Sequence, residues 1–327
     1  MQAITIKAFG SWQELELVKH DIPAIQAGEL LIKVEAAGVN RPDILQRRGH
    51  YPAPKGASQI LGLEIAGIVV AKSSSADKYN IGDEICGLVA GGGYAQYATI
   101  HQDTALPIPK GLNFIEAASL PETYFTVWNN MIDRAALKDG ETILIHGGTS
   151  GIGVAAIQIA RQYKFAKIFA TAASEAKCTT IRSLEATAIN YLTQDYVATI
   201  KAETAGKGAD VILDMVGGDY VNRNIQVAAK DGRIVNIAYL NGSIAEVDFM
   251  PVMLKRLTLT GSTLRNRPLA EKDKIASALH KNIWPLIEAG KIKPIIDNIF
   301  SLKDAGLAHK YMEGGSHIGK LILTTAS

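Results

Sequence analysis

The chain has 327 residues, of which 47% are hydrophobic and 20% are charged, and its formal net charge is +2. A chain of this length buries a substantial core and more often forms two domains than one. The near-neutral charge gives no electrostatic reason to expect nucleic acid or an anionic membrane as the main partner. No apolar run reaches the roughly 18 residues that are needed to span a bilayer.

The N-terminal sequence and the cysteine content indicate a cytoplasmic protein. The first ten residues, MQAITIKAFG, lack the basic region, the long apolar region and the cleavage site of a secretory signal. Cys86 and Cys178 are the only cysteines. Two cysteines cannot form a disulfide scaffold, and they fit a reducing compartment.

The first 120 or so residues predict a β-rich segment. Short runs with β-branched residues or alternating polarity are bounded there by Gly, Pro and Asp turns. The runs are MQAITIKAF, ELLIKVEAAGV, IAGIVVA and GYAQYATIH. The pattern then changes near LNFIEAASLPETYFTVWNNMIDRAAL, which is helical in character despite Pro121.

From Glu141 onward, strand-like and helix-like segments alternate. The strand candidates are ETILIHGG, AKIFATA, ATAIN, ADVILDMV, GRIVNIAYL and LTLTGST. Helical segments separate the first five and begin near Gly151, Ser174, Gln194 and Gly218. This alternation predicts a doubly wound, mostly parallel sheet.

After Thr263 the alternation stops. We expect a helix over AEKDKIASALHKNIWPLIEAG that ends at Gly290, a second helix opened by Ser301, and a final strand, IGKLILTT. The segment KRLTLTGST fits either an edge strand that pairs across a dimer or an interior strand.

The segment ILIHGGTSGIGVAAIQIA, residues 143–160, joins an apolar run to a helical pattern through a glycine-rich turn. Such a turn is tight, lets the backbone approach a pyrophosphate, and lets the helix pack closely on the sheet. Counted back from Gly153, the middle glycine of G-x-G-x-x-G is Ser150, whereas the frame Gly151-x-Gly153-x-x-Ala156 fits the G/A form. We predict a dinucleotide pyrophosphate at the start of the helix, the alternative being a tight turn without a ligand.

The end of the second strand of this region indicates which dinucleotide is bound. An acid there accepts hydrogen bonds from the ribose 2′-OH and selects NAD. Here the strand ends in uncharged residues, and Ser174 and Lys177 follow. A hydroxyl and an ammonium are able to hold a 2′-phosphate, so we favour NADPH. Glu175 weakens this interpretation unless the helix turns it outward, and Lys177 is otherwise a solvated helix residue.

Several separated motifs resemble the zinc-independent quinone oxidoreductases of the medium-chain dehydrogenase/reductase superfamily, in particular the tumour-suppressor-inducible NADPH:quinone oxidoreductase branch. They are GVNRPDILQRRGHYPAPKGASQILGLEIAGIV, GDEICGLVAGGGYAQYATI, HGGTSGIGVAAIQIA and GLAHKYMEGGSHIGKLIL. The resemblance implies an α/β fold with a β-rich, GroES-like catalytic domain over residues 1–120 and 264–327. It also implies an inserted Rossmann NADP-binding domain over residues 121–263, with the active site in a cleft.

The sequence also predicts that no metal is bound. A catalytic zinc needs about three protein ligands, usually Cys, His or carboxylate. Zinc-dependent relatives carry a cysteine where this chain has Asn40, and a G-H-E motif where it reads Gly62-Leu63-Glu64. Their structural zinc needs four cysteines, and the seven histidines here are scattered. Reduction of a quinone needs no Lewis acid, because the resulting anion is aromatic and delocalised.

Two residues are candidates for the catalytic site. By resemblance, Asn40 lies beside the nicotinamide ribose and the substrate, although an N-cap role fits it as well. Tyr51 is the best candidate for a hydroxyl that faces the acceptor, and packing on its proline-rich loop is an equal alternative.

The expected cofactor-binding residues come from the strand ends, the glycine-rich turn and the resemblance. Thr126, Tyr191 and Lys320 are assigned by resemblance alone. The full set is Asn40, Thr126, Ser150, Gly151, Ile152, Gly153, Ser174, Lys177, Tyr191, Val216, Ala238, Tyr239, Leu240, Ser262, Thr263, Leu264 and Lys320.

The expected activity is hydride transfer from NADPH to a quinone, in a homodimer or a homotetramer. The first alternative is reduction of the double bond of an enone or alkenal. The second is a non-catalytic NADPH-binding, RNA-associated protein, which the near-neutral charge disfavours.

Overall fold

The computed structural model describes residues 1–162 and 167–325. These residues form two compact units, Met1–Phe125 with Leu264–Ser327 and Thr126–Thr263. That the first is the catalytic domain and the second the NADP-binding domain, with the boundaries given above, stays a prediction.

The β-strands in chain order are β1 (Gln2–Ile6), β2 (Leu15–Lys19), β3 (Glu29–Val39), β4 (Glu64–Lys72), β5 (Glu84–Leu88), β6 (Tyr97–His101), β7 (Ala105–Pro107), β8 (Thr142–Ile145), β9 (Lys167–Ala172), β10 (Thr187–Asn190), β11 (Ala209–Asp214), β12 (Ala228–Asn236), β13 (Thr258–Gly261), β14 (Ile296–Ser301) and β15 (Lys320–Thr324).

The α-helices are α1 (Arg41–Arg47), α2 (Phe114–Ala117), α3 (Pro121–Val127), α4 (Gly151–Ala160), α5 (Glu175–Ser183), α6 (Tyr196–Glu203), α7 (Tyr220–Val227), α8 (Met250–Lys255), α9 (Leu269–Asn282), α10 (Trp284–Glu288) and α11 (Ala305–Glu313). Three-residue 3₁₀ turns begin at Trp12, Gln102 and Leu302, and a π-helical segment covers Trp128–Arg134. The described helices are all too short or too polar to cross a bilayer.

The first unit is a β-rich body organised around β3. This strand pairs antiparallel with β15, β4 and β6 along different parts of its length. Its residues alternate between buried and partly exposed until its last four, which are all buried. Those four residues directly precede Asn40 and α1. The buried C-terminal end of β3 therefore places the start of α1 in the core.

The second unit contains, within the described residues, a six-stranded parallel sheet in the order β10-β9-β8-β11-β12-β13. Every residue of the central strand β11 is buried, as expected where helices cover both faces of a parallel sheet. This confirms the predicted doubly wound fold. β13 ends the strand order, so KRLTLTGST contains an edge strand and the interior alternative is wrong.

The predicted helix that ends at Gly290 is wrong in one respect. It is two helices, because α9 ends at Asn282 and α10 begins at Trp284. Pro285 stands at the second position of α10, and a proline there lacks the N–H that a continuous helix would need. Pro121, by contrast, is the first residue of α3, where a proline is tolerated for the same reason.

Candidate active site

Asn40 lies between β3 and α1 in the first unit. It is 7% exposed, and its N–H donates to Asp43 Oδ2 at 2.8 Å. Its side-chain Nδ2 donates to Glu64 Oε1 at 2.8 Å. The start of α1 therefore fixes the backbone of Asn40, while its amide extends towards a carboxylate on β4.

Lys320 completes this arrangement from β15. Its Nζ donates to Glu64 Oε1 at 2.5 Å, to Asn40 Oδ1 at 2.6 Å and to the Val39 carbonyl at 3.3 Å. Glu64 is fully buried and Lys320 is 6% exposed. These bonds use the three donors of an ammonium. A buried ion pair needs such complete hydrogen bonding to offset its desolvation.

Two further acids lie in the same electrostatic environment. Burial raises the pKa of Asp43 to about 6, although its carboxylate accepts hydrogen bonds from the backbone of Asn40 and Gly62 and from Tyr94. Burial and the negative charge of Glu64 raise the pKa of Glu122 to about 8. The backbone of Glu122 contacts the Glu64 carboxylate, because the Glu122 N–H donates to Glu64 Oε2 at 2.8 Å.

Tyr51 and Arg265 form a second part of this polar region. The Arg265 guanidinium carbon lies 5.5 Å from the centre of the Tyr51 ring. Burial and Glu122 raise the pKa of Tyr51, and Arg265 opposes that rise. The Tyr51 hydroxyl is therefore neutral at physiological pH and able to donate a hydrogen bond.

The glycine-rich turn of the second unit packs closely against the start of α4. Ser150 caps α4: its Oγ accepts from the Gly153 N–H at 3.0 Å and donates to the Gly147 carbonyl at 2.8 Å. A Cβ on Gly153 would lie 2.3 Å from that carbonyl oxygen, so the helix packs too closely for a side chain. A Cβ on Gly148 would likewise meet Ala170 at 2.7 Å. The turn fits the frame that contains Gly148, Ser150 and Gly153.

The next strand and helix place the residues predicted to select the cofactor. Ser174 caps α5, and its Oγ accepts from the Lys177 N–H at 3.3 Å. The Lys177 side chain is half-buried. Glu175 is exposed and forms an ion pair with Arg182 on the same helix. The acid that weakened the NADPH interpretation is thus paired along the helix.

The remaining predicted residues of this unit follow the other parallel strands. Because the strands are parallel, these residues share one edge of the sheet. The loops after β11 and β12 are joined, since the Asn241 N–H donates to the Val216 carbonyl at 2.8 Å. Ser262 Oγ donates to Asn130 Oδ1 at 2.8 Å. The residues that follow strands β10 to β13 are Tyr191, Val216, Ala238, Tyr239, Leu240, Ser262 and Thr263.

The predicted residues therefore form two groups. Asn40, Tyr51 and Lys320 lie in the first unit, as does the buried Leu264. The strand-end residues, the glycine-rich turn and Thr126 lie in the second, where the Thr126 carbonyl accepts from Asn130 Nδ2 at 2.9 Å. Whether these residues bind a cofactor stays a prediction.

Sequence reasoning missed three ionisable residues of the first group, Glu122, Arg265 and Lys272. Arg265 is 6% exposed, and Lys272 Nζ donates to the Arg265 carbonyl at 2.7 Å. The sequences LRNRPLAEK (264–272) and PET (121–123) gave no sign that ionisable side chains lie in this polar region. Glu64 had a signal, because it stands where zinc-dependent relatives have their G-H-E motif.

Comparison with known proteins finds two matching protein families. Residues 26–110 match the alcohol dehydrogenase GroES-like domain, and residues 151–280 match the zinc-binding dehydrogenases. The quinone oxidoreductase of Mus musculus is 31% identical over 99% of this chain and 97% of its own. This chain belongs to the medium-chain dehydrogenase/reductase superfamily. Within it the chain is quinone oxidoreductase-like, as the sequence motifs predicted.

Solved structures of this superfamily share the whole fold. An NAD-dependent alcohol dehydrogenase is 28% identical, with a TM-score of 0.88 over 100% of both chains. The CurK enoyl reductase is also 28% identical, with a TM-score of 0.85 over 99% of this chain and 98% of the other. Membership of this superfamily supports an oxidoreductase that binds a nicotinamide cofactor at a Rossmann-type sheet.

The name of one matching family raises the question of zinc. Among the described residues, no group of three or more His, Cys, Asp or Glu side chains is placed to hold a metal ion. Asn40 and Glu64, which stand where zinc-dependent relatives place metal-binding motifs, both bind the Lys320 ammonium. The donor set therefore fits an internal cation better than a metal. Zinc independence stays a prediction.

Proposed function

We propose that this protein is an NADPH-dependent quinone oxidoreductase that works without zinc. The observation that supports this most is the Lys320 ammonium, which binds Asn40 and Glu64 in the buried core of the first unit. A fixed positive charge there does not polarise a substrate as a Lewis acid does, so the acceptor has to be electrophilic already. A quinone meets that requirement.

The chain's own residues would then position the acceptor and help to neutralise the anion that its reduction produces. A bound reduced nicotinamide would supply a hydride, which carries two electrons and one hydrogen. Asn40 is held at both ends of its amide and is preorganised to contact a ligand. Tyr51 carries a neutral hydroxyl that is able to donate to an acceptor oxygen. A proton from Tyr51 or from solvent would neutralise the oxygen anion that reduction produces.

NADPH rather than NADH is the second part of the proposal. The strand β9 ends in Ala172, and no acid stands at its end to pair with a ribose 2′-OH. Lys177 belongs to the first turn of α5, where a helix attracts anions. The pairing of Glu175 with Arg182 lowers the repulsion that a 2′-phosphate would meet.

The test is a titration of cofactor-free protein with NADPH and with NADH, followed by assays with a panel of quinones. We expect tighter binding of NADPH and a loss of nicotinamide absorbance that depends on the quinone. Absence of that loss with every quinone, tighter binding of NADH, or stoichiometric zinc in the purified protein would contradict the corresponding part of the proposal.

A second candidate is reduction of the double bond of an enone or alkenal. The similarity to the CurK enoyl reductase favours it. In that reaction the hydride adds to the carbon β to a carbonyl, and a proton must then reach the neighbouring carbon. The same acceptor panel, extended to enones, separates the two candidates by their relative kcat/KM.

We also propose a homodimer, with a homotetramer as the alternative, and a cytoplasmic location. The support for association is the edge strand β13, whose Leu259 side chain is 38% exposed. Size-exclusion chromatography with light scattering measures the assembly directly, and a monomeric mass would contradict it.

A further inference from the structure

We propose that Arg265 binds the carbonyl oxygen of the acceptor and stabilises the negative charge that reduction places on this oxygen. This inference rests on the proposed function and adds the group that takes the oxyanion. The ligand that it implies is an oxygen of a quinone or an enone, which becomes a phenolate or an enolate.

The first support is that Arg265 carries unused donors in a buried place. The residue is 6% exposed, and its Nε donates to the Ala90 carbonyl at 2.8 Å. Its two terminal nitrogens are buried and have no hydrogen-bond partner within residues 1–162 and 167–325. Buried polar groups in proteins almost always have partners, and the exceptions mark places where a ligand or another function supplies one.

The second support is the fixed position of the guanidinium. The Nε bond to Ala90 holds its inner side, and Lys272 Nζ holds the Arg265 backbone through the carbonyl at 2.7 Å. The ring of Tyr51 lies 5.5 Å from the guanidinium carbon. An arginine that only anchored its loop would need the Nε bond alone and would leave its terminal nitrogens in water.

The third support is the charge balance around Arg265. Burial lowers the pKa of Arg265, while the negative charge of Asp43 favours its charged form. Asp43 acts through space, because the terminal nitrogens of Arg265 have no hydrogen-bond partner among the described residues. The guanidinium is thus kept positive, and its terminal donors remain available for an anion.

The geometry of the group points to the class of ligand. A guanidinium presents parallel N–H donors in one plane, which suits an oxygen that carries or develops negative charge. Donors that are already in place act on the developing charge without reorganising. A carboxylate elsewhere on an acceptor has the same chemistry, and the experiment distinguishes these two sources.

The test uses 4-nitrophenol as a stand-in for the reduced acceptor, with cofactor-free protein. Its absorbance reports whether the bound molecule is ionised, so no turnover is required. We expect the wild-type protein to bind the phenolate in preference to the phenol. Arg265→Gln should lower this preference by about tenfold to a hundredfold, as expected for loss of a charged hydrogen-bond donor. Arg267→Gln, which removes an arginine paired with Glu271, is the matched control and should leave it unchanged.

Benzoate, added as a competitor, separates the two sources of the anion. Weak competition together with strong phenolate binding supports the proposal. Benzoate binding that is stronger than phenolate binding and depends on Arg265 would overturn it in favour of a carboxylate subsite. Equal ionisation of 4-nitrophenol on wild-type and Arg265→Gln protein, or no binding to the wild type, would also overturn it.

Arg265→Lys guards against a folding defect, since it keeps the charge but loses the planar pair of donors. We expect it to show an intermediate preference for the phenolate, and a preference equal to that of the wild type would contradict the role of the planar donors. The quinone assay of the wild type separates this proposal from the proposed function. If the wild type reduces quinones but Arg265 has no effect on phenolate binding, only the role of Arg265 is contradicted. If the wild type reduces no quinone, the proposed function is contradicted.

Discussion

Asn40 combines a local position at the start of a helix with contacts to distant parts of the chain. It occupies the position before α1, as its residue type predicted, and its amide turns to Glu64 and Lys320. The contact of its backbone N–H with Asp43 is local, because Asp43 is three residues away. The other two partners are 24 and 280 residues away, and only the folded sheet brings them together.

The substitution Tyr51→Phe separates the two candidate activities. It removes a hydroxyl and leaves the ring beneath Arg265. Quinone reduction should lose little activity, because the reduced anion is stable and takes its proton from solvent. Enone reduction should lose about a hundredfold or more, as expected where a general acid acts. Steady-state kcat/KM with one quinone and one enone measures this, and equal losses with both acceptors would contradict it.

Lys320 is expected to be important for stability. Lys320→Met leaves the buried Glu64 carboxylate without its cation, which should lower the free energy of unfolding by about 3–5 kcal/mol. The double variant Glu64→Gln with Lys320→Met should be less destabilised than the sum of the single variants.

Urea unfolding of the wild type, the two single variants Glu64→Gln and Lys320→Met, and the double variant measures this coupling. Lys303→Met, at an exposed lysine, is the control and should change stability by less than about 0.5 kcal/mol. Additive effects of the two core substitutions would show that the ion pair does not couple them.

At the scale of elements, the glycine-rich turn between β8 and α4 is the part of the predicted cofactor site whose local backbone geometry the sequence indicated best. Glycines in a strand–turn–helix pattern indicate that two backbone segments pack closely. In the structure, the backbone at Gly153 packs against the Gly147 carbonyl in this way. The sequence left two glycine frames open. Tertiary packing decides between them, because Gly148 meets a residue of β9 and a residue of α5.

Gly153→Ala tests this turn. Its Cβ would lie 2.3 Å from the Gly147 carbonyl oxygen, so α4 has to move. We expect a loss of about 1–3 kcal/mol in stability and at least a tenfold loss in NADPH affinity. Gly314→Ala is the control, because Gly314 has φ −66° and its Cβ would have 3.3 Å to the nearest atom. Unchanged NADPH affinity in Gly153→Ala would argue against a pyrophosphate at this turn.

The start of α5 gives a second test at this scale. Lys177→Gln removes a positive charge and keeps a polar side chain only one atom shorter. The preference for NADPH over NADH should therefore fall about tenfold, or ~1.4 kcal/mol. Lys201→Gln, at an exposed lysine of α6, is the matched control. Fluorescence titration with both cofactors measures the ratio, and a ratio that Lys177→Gln leaves intact would contradict the role of Lys177.

Elements that the sequence analysis did not find have a common physical cause. β2, β5 and β14 are short, and β14 contains three exposed residues in a row. Such segments form strands because a neighbouring strand offers hydrogen bonds, as β15 does for β14. Each of them mixes β-preferring residues such as Val, Ile or Phe with Glu, Lys, Gly, Asp or Asn, which are depleted in strands, so the local signal is weak.

For the molecule as a whole, the buried acids predict how stability changes with pH. The pKa of Glu122 is raised from about 4.5 to about 8, so its contribution is fully present below about pH 4.5 and is lost as the pH rises through 8. The raised pKa of Asp43 acts in the same direction up to about pH 6. The midpoint temperature of thermal unfolding should therefore decrease as the pH rises from 5 to 8.

Glu122→Gln should reduce that fall, since a neutral amide replaces the acid that must ionise. Thermal unfolding at several pH values measures it. Glu16→Gln, at an exposed position of β2, is the control. A wild-type and a Glu122→Gln profile that run parallel from pH 5 to 8 would contradict the shifted pKa of Glu122.

The sequence by itself determined the alternation of strands and helices, the parallel sheet, the glycine-rich turn and the family. Each of these depends on local periodicity or on residues that are close along the chain. Only the tertiary structure decided which charges are buried together. Residues from β4, β15 and the segment after Thr263 meet near Asn40 and Tyr51, and burial there sets the protonation of Glu122 and leaves the donors of Arg265 unused. Desolvation depends on the surroundings of a group in three dimensions, and a residue type alone does not specify them.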